Sequence, residues 1–226
     1  MPRNYIARRI AQEFKDGMYV NLGIGIPTES ANYIPAGTQV FLQTENGGLM
    51  FGPKPKRGES NPDIANAGAE PITMMAGGAV FDVATSFAMI RGGHIDMTVV
   101  GALEVDEGGS IASWKIPGKL LTGMGGAMDL LYGCKRVIVA MTHTDKHGNP
   151  KIRKKCTLPL TAAGVVDMII TDKAVFRVAE AGLYLEELAP GITAAEVERL
   201  TEGTIINIIE WEHIEITYKE LKRKIK

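Results

Sequence analysis

What most constrains this chain is a repeated local pattern. Strand-length apolar runs stop at glycine-marked junctions and alternate with segments of helical spacing. "MYVNLGIGIPTES" reads as a strand, a turn at Gly23 and Gly25, and a helix with Pro27 in its first turn, where a missing N–H is harmless. "TQVFLQTENG" is a second strand running into Gly47 and Gly48, and "HIDMTVVGAL" is strand-like up to Gly101. "KRVIVAMTH" and "GVVDMIITD" are further short runs of buried character, and "ALEVDEGGSIASW" reads as a hairpin turning at Asp106 to Gly109. Helical spacing occurs at Ile6, Ile10 and Phe14, with Gly17 placed to end that helix, and again in "AVFDVATSFAMIRGG". "TAAEVERL" carries a capping box, Thr193 as N-cap and Glu196 three positions on. Alternating strands and helices predict an α/β fold with an open, mostly parallel sheet flanked by helices. Such sheets place ligands where the C-terminal ends of strands meet loops.

The 226 residues, 45% hydrophobic and 23% charged, suffice for one large core and predict a single domain over 1–226. A net charge of -1 without a basic, aromatic-laced stripe argues against a nucleic-acid partner. Cys134 and Cys156 lack CxxC spacing and are expected as reduced thiols. The start, "MPRNYIARRIAQEF", has no apolar signal core, and apolar runs such as "RVIVAM" fall far short of a membrane span, so a cytoplasmic location is expected. The tail "YKELKRKIK" reads as a basic, helical, solvated end.

Several motifs invite a site and fail on detail. Gly23 and Gly25 lack the third glycine of a dinucleotide fingerprint, because Thr28 stands there, and no P-loop ending follows. His143 and His147 lie in the turn-like "HTDKHGNP", so a metal is not expected; no G-x-S-x-G elbow occurs. Asn21 either contacts a ligand or satisfies local backbone. "GMGGAMD", residues 123–129, places three glycines before a helix; it is either a close-packed turn or a set of N–H groups converging on one spot as an oxyanion hole. Glu45 stands where "VFLQT" gives way to glycine, and from spacing alone is either a solvated loop residue or a reactive carboxylate.

"TENG", "SFAMIRGGHID", "GALEVD", "IPGKLLTGMGGAMDL" and "KKCTLPLT", in this order, resemble the beta subunit of family I CoA transferases. This is the 3-oxoacid group that includes the acetoacetate, butyrate and succinyl-CoA enzymes. The similarity runs from about residue 4 to residue 200, leaving a divergent segment at 201–226. The resemblance implies a CoA transferase-like fold. It implies that Glu45 is the nucleophile of a Ser-Glu-Asn-Gly motif, with Thr44 in place of the serine and Gly48 in place of a bulkier apolar residue. It implies that Gly126 gives an oxyanion-hole N–H. Asn21, Gly23, Gly25, Asn46, Gly47, Gly101 and Gly125 become candidate substrate-contacting positions. Ala69 stands where some relatives carry lysine or glycine after "NAG", so no CoA contact carries over there. CoA thioester is implied as substrate, with no cofactor or metal, and an alpha subunit as partner in an α2β2 assembly. A non-catalytic acyl-CoA-binding or assembly subunit, a thioester hydrolase and a sugar-phosphate isomerase are the competing expectations.

Overall fold

The structure is a computed structural model that describes residues 2–52, 54–118 and 123–206. The basic tail and most of the divergent C-terminal segment lie outside the described residues. The first strands are β1 (Tyr19–Leu22), β2 (Phe41–Thr44), β3 (Gly48–Phe51), β4 (Met74–Val80) and β5 (Met97–Val100). They are followed by β6 (Glu104–Asp106), β7 (Ile111–Ala112), β8 (Val137–Ala140), β9 (Ile152–Arg153) and β10 (Met168–Ile170). β11 (Ala174–Ala179), β12 (Gly182–Leu188) and β13 (Ile205–Ile206) complete the strands. The helices are α1 (Pro2–Ala11), α2 (Ile26–Glu29), α3 (Val83–Arg91), α4 (Ala127–Gly133) and α5 (Ala194–Arg199).

Ten strands form one sheet in the order β13-β12-β11-β10-β8-β5-β1-β2-β3-β4. Its centre, β10-β8-β5-β1-β2, is parallel throughout, and the pairs β2–β3, β3–β4, β10–β11 and β11–β12 are antiparallel. The parallel centre follows from burial on both faces, which makes β5, β8 and β10 continuous apolar or small runs. Alternate residues feed two cores. Ile138, Ala140, Met168 and Ile170 pack with Ile6 and Ile10 of α1, whereas Val137, Val139 and Ile169 pack against Val105, Ile111 and Ile152 of a second sheet. That second sheet has three strands, in the order β7-β6-β9.

Sequence and structure part at a few places. α1 ends at Ala11, so Gly17 (φ 81) turns the chain into β1 rather than closing the helix, although Phe14 is buried against the same core. Ala79 and Val80 belong to β4 rather than to the helix that their spacing predicts. That helix begins only after Asp82, whose carboxylate accepts from the Thr85 N–H. Thr193 does cap α5 by accepting from the Glu196 N–H. The return half of the capping box is replaced, because the Glu196 carboxylate accepts from Lys173 Nζ at 2.7 Å. The hairpin of β11 and β12, which the sequence pattern does not announce, carries a register shift between Val175 and Phe176.

Candidate active site

The C-terminal ends of β1, β2 and β5 lie side by side, with Asn21 opposite Gln43 and Leu22 opposite Val99. Glu45 is the first residue past β2. It lines a cavity of about 450 Å³, together with Asn21, Gly23 and Gly101 from the ends of the neighbouring strands. Among the described residues that line this cavity, Glu45 is the one charged side chain.

Two features hold the turn after Glu45 in place. Gly47 has φ 118, and a Cβ there would fall 2.0 Å from the Phe81 carbonyl oxygen, so the turn requires glycine. Its carbonyl accepts from the Phe81 N–H at 2.9 Å, tying the turn to the β4–α3 junction. The Thr44 hydroxyl donates to Asn46 Oδ1 at 2.8 Å and accepts from the Ala67 N–H at 3.0 Å. Asn46 Nδ2 donates in turn to the Ala65 carbonyl at 2.9 Å. These bonds fasten the loop containing Asn66, Ala67 and Gly68 to the strand end, where the loop forms another part of the cavity wall.

The carboxylate of Glu45 meets the glycine turn before α4. The Gly126 N–H lies close to it and favours its ionised form. A Cβ on Gly126 would lie 3.0 Å from Glu45 Oε2 and 2.7 Å from Phe87 Cζ; one on Gly125 would lie 3.8 Å from Glu45 Oε1. Gly126 therefore sits between an aromatic ring and the carboxylate, and a side chain there would have to displace Phe87 or Glu45. Burial pushes the Glu45 carboxyl above its ordinary range; the Gly126 N–H opposes this, and the charge of Asp129 adds to it. Asp129 is itself held by Arg91 Nε at 2.6 Å.

Beneath the site runs a buried chain of polar side chains. Asn21 Nδ2 donates to Gln43 Oε1 at 2.6 Å, and Gln43 Nε2 donates to Ser86 Oγ at 2.8 Å. Asn21 is 3% exposed, Gln43 1% and Ser86 0%, so each depends on the others for its hydrogen bonds. Of the candidate positions, Asn21, Gly23, Glu45 and Gly101 line the cavity, and Gly125 and Gly126 lie beside the carboxylate. Gly25 instead caps α2, while Asn46 and Gly47 fix the turn and are not part of the cavity wall.

Three wall or support residues escape a reading of the sequence: Gln43, Ser113 and Trp114. Gln43 does carry a signal, as a polar residue in the middle of an apolar strand. Ser113 and Trp114 follow β7 and reach the cavity only through the packing of the small sheet. Other reactive groups lie elsewhere. Burial pushes the free thiols of Cys134 and Cys156 each up to about 12, which makes poor nucleophiles of them. Among the described residues no three His, Cys, Asp or Glu side chains cluster in a way that would hold a metal ion.

This arrangement can do one kind of chemistry well. A carboxylate at a strand end, in a largely uncharged cavity and beside a fixed N–H, is placed to attack an electrophilic carbonyl while that N–H meets the developing charge. The sequence profile of the Coenzyme A transferase family matches residues 3–199. The chain belongs to the coenzyme A transferase family. It is 53% identical over 201 residues to the B-type chain of a probable succinyl-CoA:3-ketoacid coenzyme A transferase of Bacillus subtilis, covering 89% of this chain and 93% of that one. It is 51% identical over 198 residues to the beta subunit of the acetate CoA-transferase of Escherichia coli, covering 88% and 90%. These identities place it among the beta subunits of CoA transferases. The fold is also that of an acyl-CoA transferase from Escherichia coli O157:H7, with TM-score 0.73 and 24% identity, over 92% of this chain and 42% of that one. No described helix is long and apolar enough to cross a membrane.

Proposed function

We propose that this CoA transferase chain is a catalytic beta subunit that moves CoA from an acyl-CoA to a short-chain carboxylic acid through a glutamyl–CoA thioester on Glu45. The observation that carries this reading is the Glu45 carboxylate, set at the end of a central strand on the cavity wall with the Gly126 N–H against it. An oxygen of the ionised carboxylate attacks the thioester carbonyl. The C–S bond breaks, leaving an acyl–glutamyl anhydride and CoA thiolate. The thiolate then attacks the glutamyl Cδ carbonyl and expels the donor acid as its carboxylate. The acceptor acid runs the two steps in reverse, which gives ping-pong kinetics. Negative charge gathers on the glutamyl oxygen when its own carbonyl is attacked, and the Gly126 N–H meets it there. Gly125 and Asn21 shape the same corner. Catalysis by this route requires that water be kept from either activated intermediate, whose hydrolysis would waste the thioester.

Substrate and assembly extend the same reading. The relatives are named for succinyl-CoA, 3-keto acids and acetate, and the same class of short acids is proposed here. They are also named as one of two kinds of subunit, and the solved acyl-CoA transferase is more than twice the length that this chain covers. An alpha subunit supplying the other half of the site, in an α2β2 complex in the cytoplasm, fits those facts. No cofactor enters the proposed steps, and CoA is a substrate.

The test is intact-mass measurement of this subunit in the co-expressed complex after mixing with acyl-CoA and no acceptor. A CoA-sized adduct is expected on the native chain, and Glu45→Ala is expected to lose both adduct and turnover. Near-normal transfer by Glu45→Ala, or hydrolysis of acyl-CoA without any adduct, would overturn the proposal.

A further inference from the structure

The cavity has two unlike sides. One is built by the ends of the large sheet and carries Glu45. The other belongs to the small sheet: Ala102 and Leu103 on the way into β6, and Ser113 and Trp114 on the way out of β7. We infer that Trp114 is the specificity-determining residue of the site, its indole limiting the length of the acyl group that lies beside Glu45. This rests on the proposed transfer at Glu45 and adds the feature that selects the substrate.

The indole is tied by one hydrogen bond and flanked by one cation. Trp114 Nε1 donates to the Leu160 carbonyl at 3.1 Å, and Lys115 Nζ lies 5.7 Å from the ring centroid. The preceding residue is fixed as well: the Ser113 N–H donates to Thr161 Oγ1 at 3.0 Å, and the two hydroxyls are 2.8 Å apart. The segment that provides these partners is anchored further back. The Glu104 carboxylate, 8% exposed, accepts from the Thr157 N–H at 2.7 Å, the Thr157 hydroxyl at 2.8 Å and the Leu158 N–H at 3.0 Å. Asp106 accepts from the Cys156 N–H at 3.2 Å. A large ring held by such a frame does not swing aside for a longer ligand, so its bulk acts as a limit.

The chemistry of the walls, contributed from both sides, agrees with an acyl group in this cavity. Leu22, Phe51, Val100, Leu103 and Leu130 line the cavity with Trp114. Such surface favours a hydrocarbon or simple keto chain. One methylene gained or lost against an apolar wall changes kcat/KM by roughly ten- to two-hundred-fold.

The experiment measures kcat/KM of the assembled complex for acetyl-, butyryl- and hexanoyl-CoA with propionate as the common acceptor. It is repeated for Trp114→Phe, Trp114→Leu and Trp114→Ala. The hexanoyl-to-acetyl ratio is expected to rise roughly ten- to a hundred-fold from the native complex to Trp114→Ala, with Trp114→Leu between and Trp114→Phe near the native ratio. A ratio constant within about twofold across the variants overturns the inference, taking the cited methylene factor as the scale. If Trp114→Ala fails to fold, the Leu and Phe variants report the same trend, and a native complex that uses hexanoyl-CoA as well as acetyl-CoA also overturns it. A native complex that neither transfers CoA nor forms the adduct would instead defeat the reading of Glu45, so the two failures are distinct.

Discussion

The Gly126 N–H lies against the Glu45 carboxylate and favours its ionised form, while burial and the nearby Asp129 act in the opposite direction and hold that carboxyl above its usual range. The site therefore sets two requirements against each other. Partial burial makes a carboxylate less hydrated and more reactive, but it also favours the neutral acid, which cannot attack. The N–H is the local counterweight, because it binds the ionised form.

A pH dependence follows for the first half-reaction. The proposed nucleophile is the anion, so CoA-adduct formation should rise with pH through a midpoint above the ordinary carboxylate value of 4.5. Asp129→Asn removes a negative charge that raises this value and frees the Arg91 cation from its partner. The midpoint should move to lower pH in Asp129→Asn. Rapid-quench measurement of adduct formation from about pH 4 to 8, a span bracketing a raised carboxyl, checks it. An unchanged midpoint would argue that another group controls the limb. The sign for stability is opposite to that for rate. A raised folded-state value means that the folded protein binds more protons, so this group's contribution to stability declines as pH rises through the same range.

The polar chain from Asn21 through Gln43 to Ser86 gives a second expectation. Gln43→Met keeps the length of the side chain but removes both its acceptor and its donor. Asn21 Nδ2 would retain only the Gln43 carbonyl, at 3.2 Å, and Ser86 Oγ would lose its donor in a fully buried place. The expected cost is about 2 kcal/mol, typical of a buried polar group left without its partner. Urea unfolding should show a lower midpoint with an unchanged slope. Gln43→Glu, which keeps an acceptor for Asn21, should recover part of the loss only at acidic pH, where a protonated carboxyl also donates to Ser86.

How legible each feature is in the sequence depends on how local it is. β2 with Glu45 after it, the Gly125–Gly126 turn and the Asp106–Gly109 hairpin all show within a few residues, because strand ends and tight turns are set by the residues in them. β4 does not show as a strand, since "MMAGGAV" is an edge strand with little burial and two glycines, and carries no alternation. The return arm of the capping box fails for another reason: Lys173, twenty-three positions away, competes for the Glu196 carboxylate. Trp114 is invisible as a wall residue because its place depends on β6 and β7 folding back over the ends of the large sheet. Local pattern marks the position of Glu45 but leaves its role to the family resemblance; tertiary packing alone brings Trp114 to the cavity wall.

A third expectation concerns acid. His143 is 0% exposed, with its ring nitrogens 3.0 Å from Thr171 Oγ1 and 3.1 Å from Thr201 Oγ1. Burial lowers its value from 6.5 to about 4. The unfolded chain thus takes up a proton near pH 6.5 that the folded chain refuses until near pH 4. Stability from this residue is complete above about pH 6.5 and is lost as pH falls toward 4, by on the order of 3 kcal/mol at 1.36 kcal/mol per pH unit. Unfolding measured at about pH 7, 5.5 and 4, points that span this window, should show a steeper decline for the native chain than for His143→Gln, which lacks this proton uptake. Parallel declines would mean that His143 is not the linked group.

The last expectation comes from Thr44 and Gly48, the two departures that the family resemblance implies beside the proposed nucleophile. Thr44 and Gly48 face each other in the β2–β3 register. A Cβ on Gly48 would fall 3.0 Å from Thr44 Cγ2, the methyl that distinguishes threonine from the serine of the family motif. The Thr44 methyl thus occupies the room that a side chain at 48 would need. Gly48→Ala alone should overpack this corner and cost about 1–3 kcal/mol. Thr44→Ser alone should cost less, because its hydroxyl still bridges Asn46 and the Ala67 N–H. The double variant should recover most of the loss, with a coupling of at least about 0.5 kcal/mol in a double-mutant cycle. The rate of adduct formation should follow the same order, since Thr44 is the residue that directly precedes Glu45. Additive effects on both stability and rate would show that the two positions changed independently.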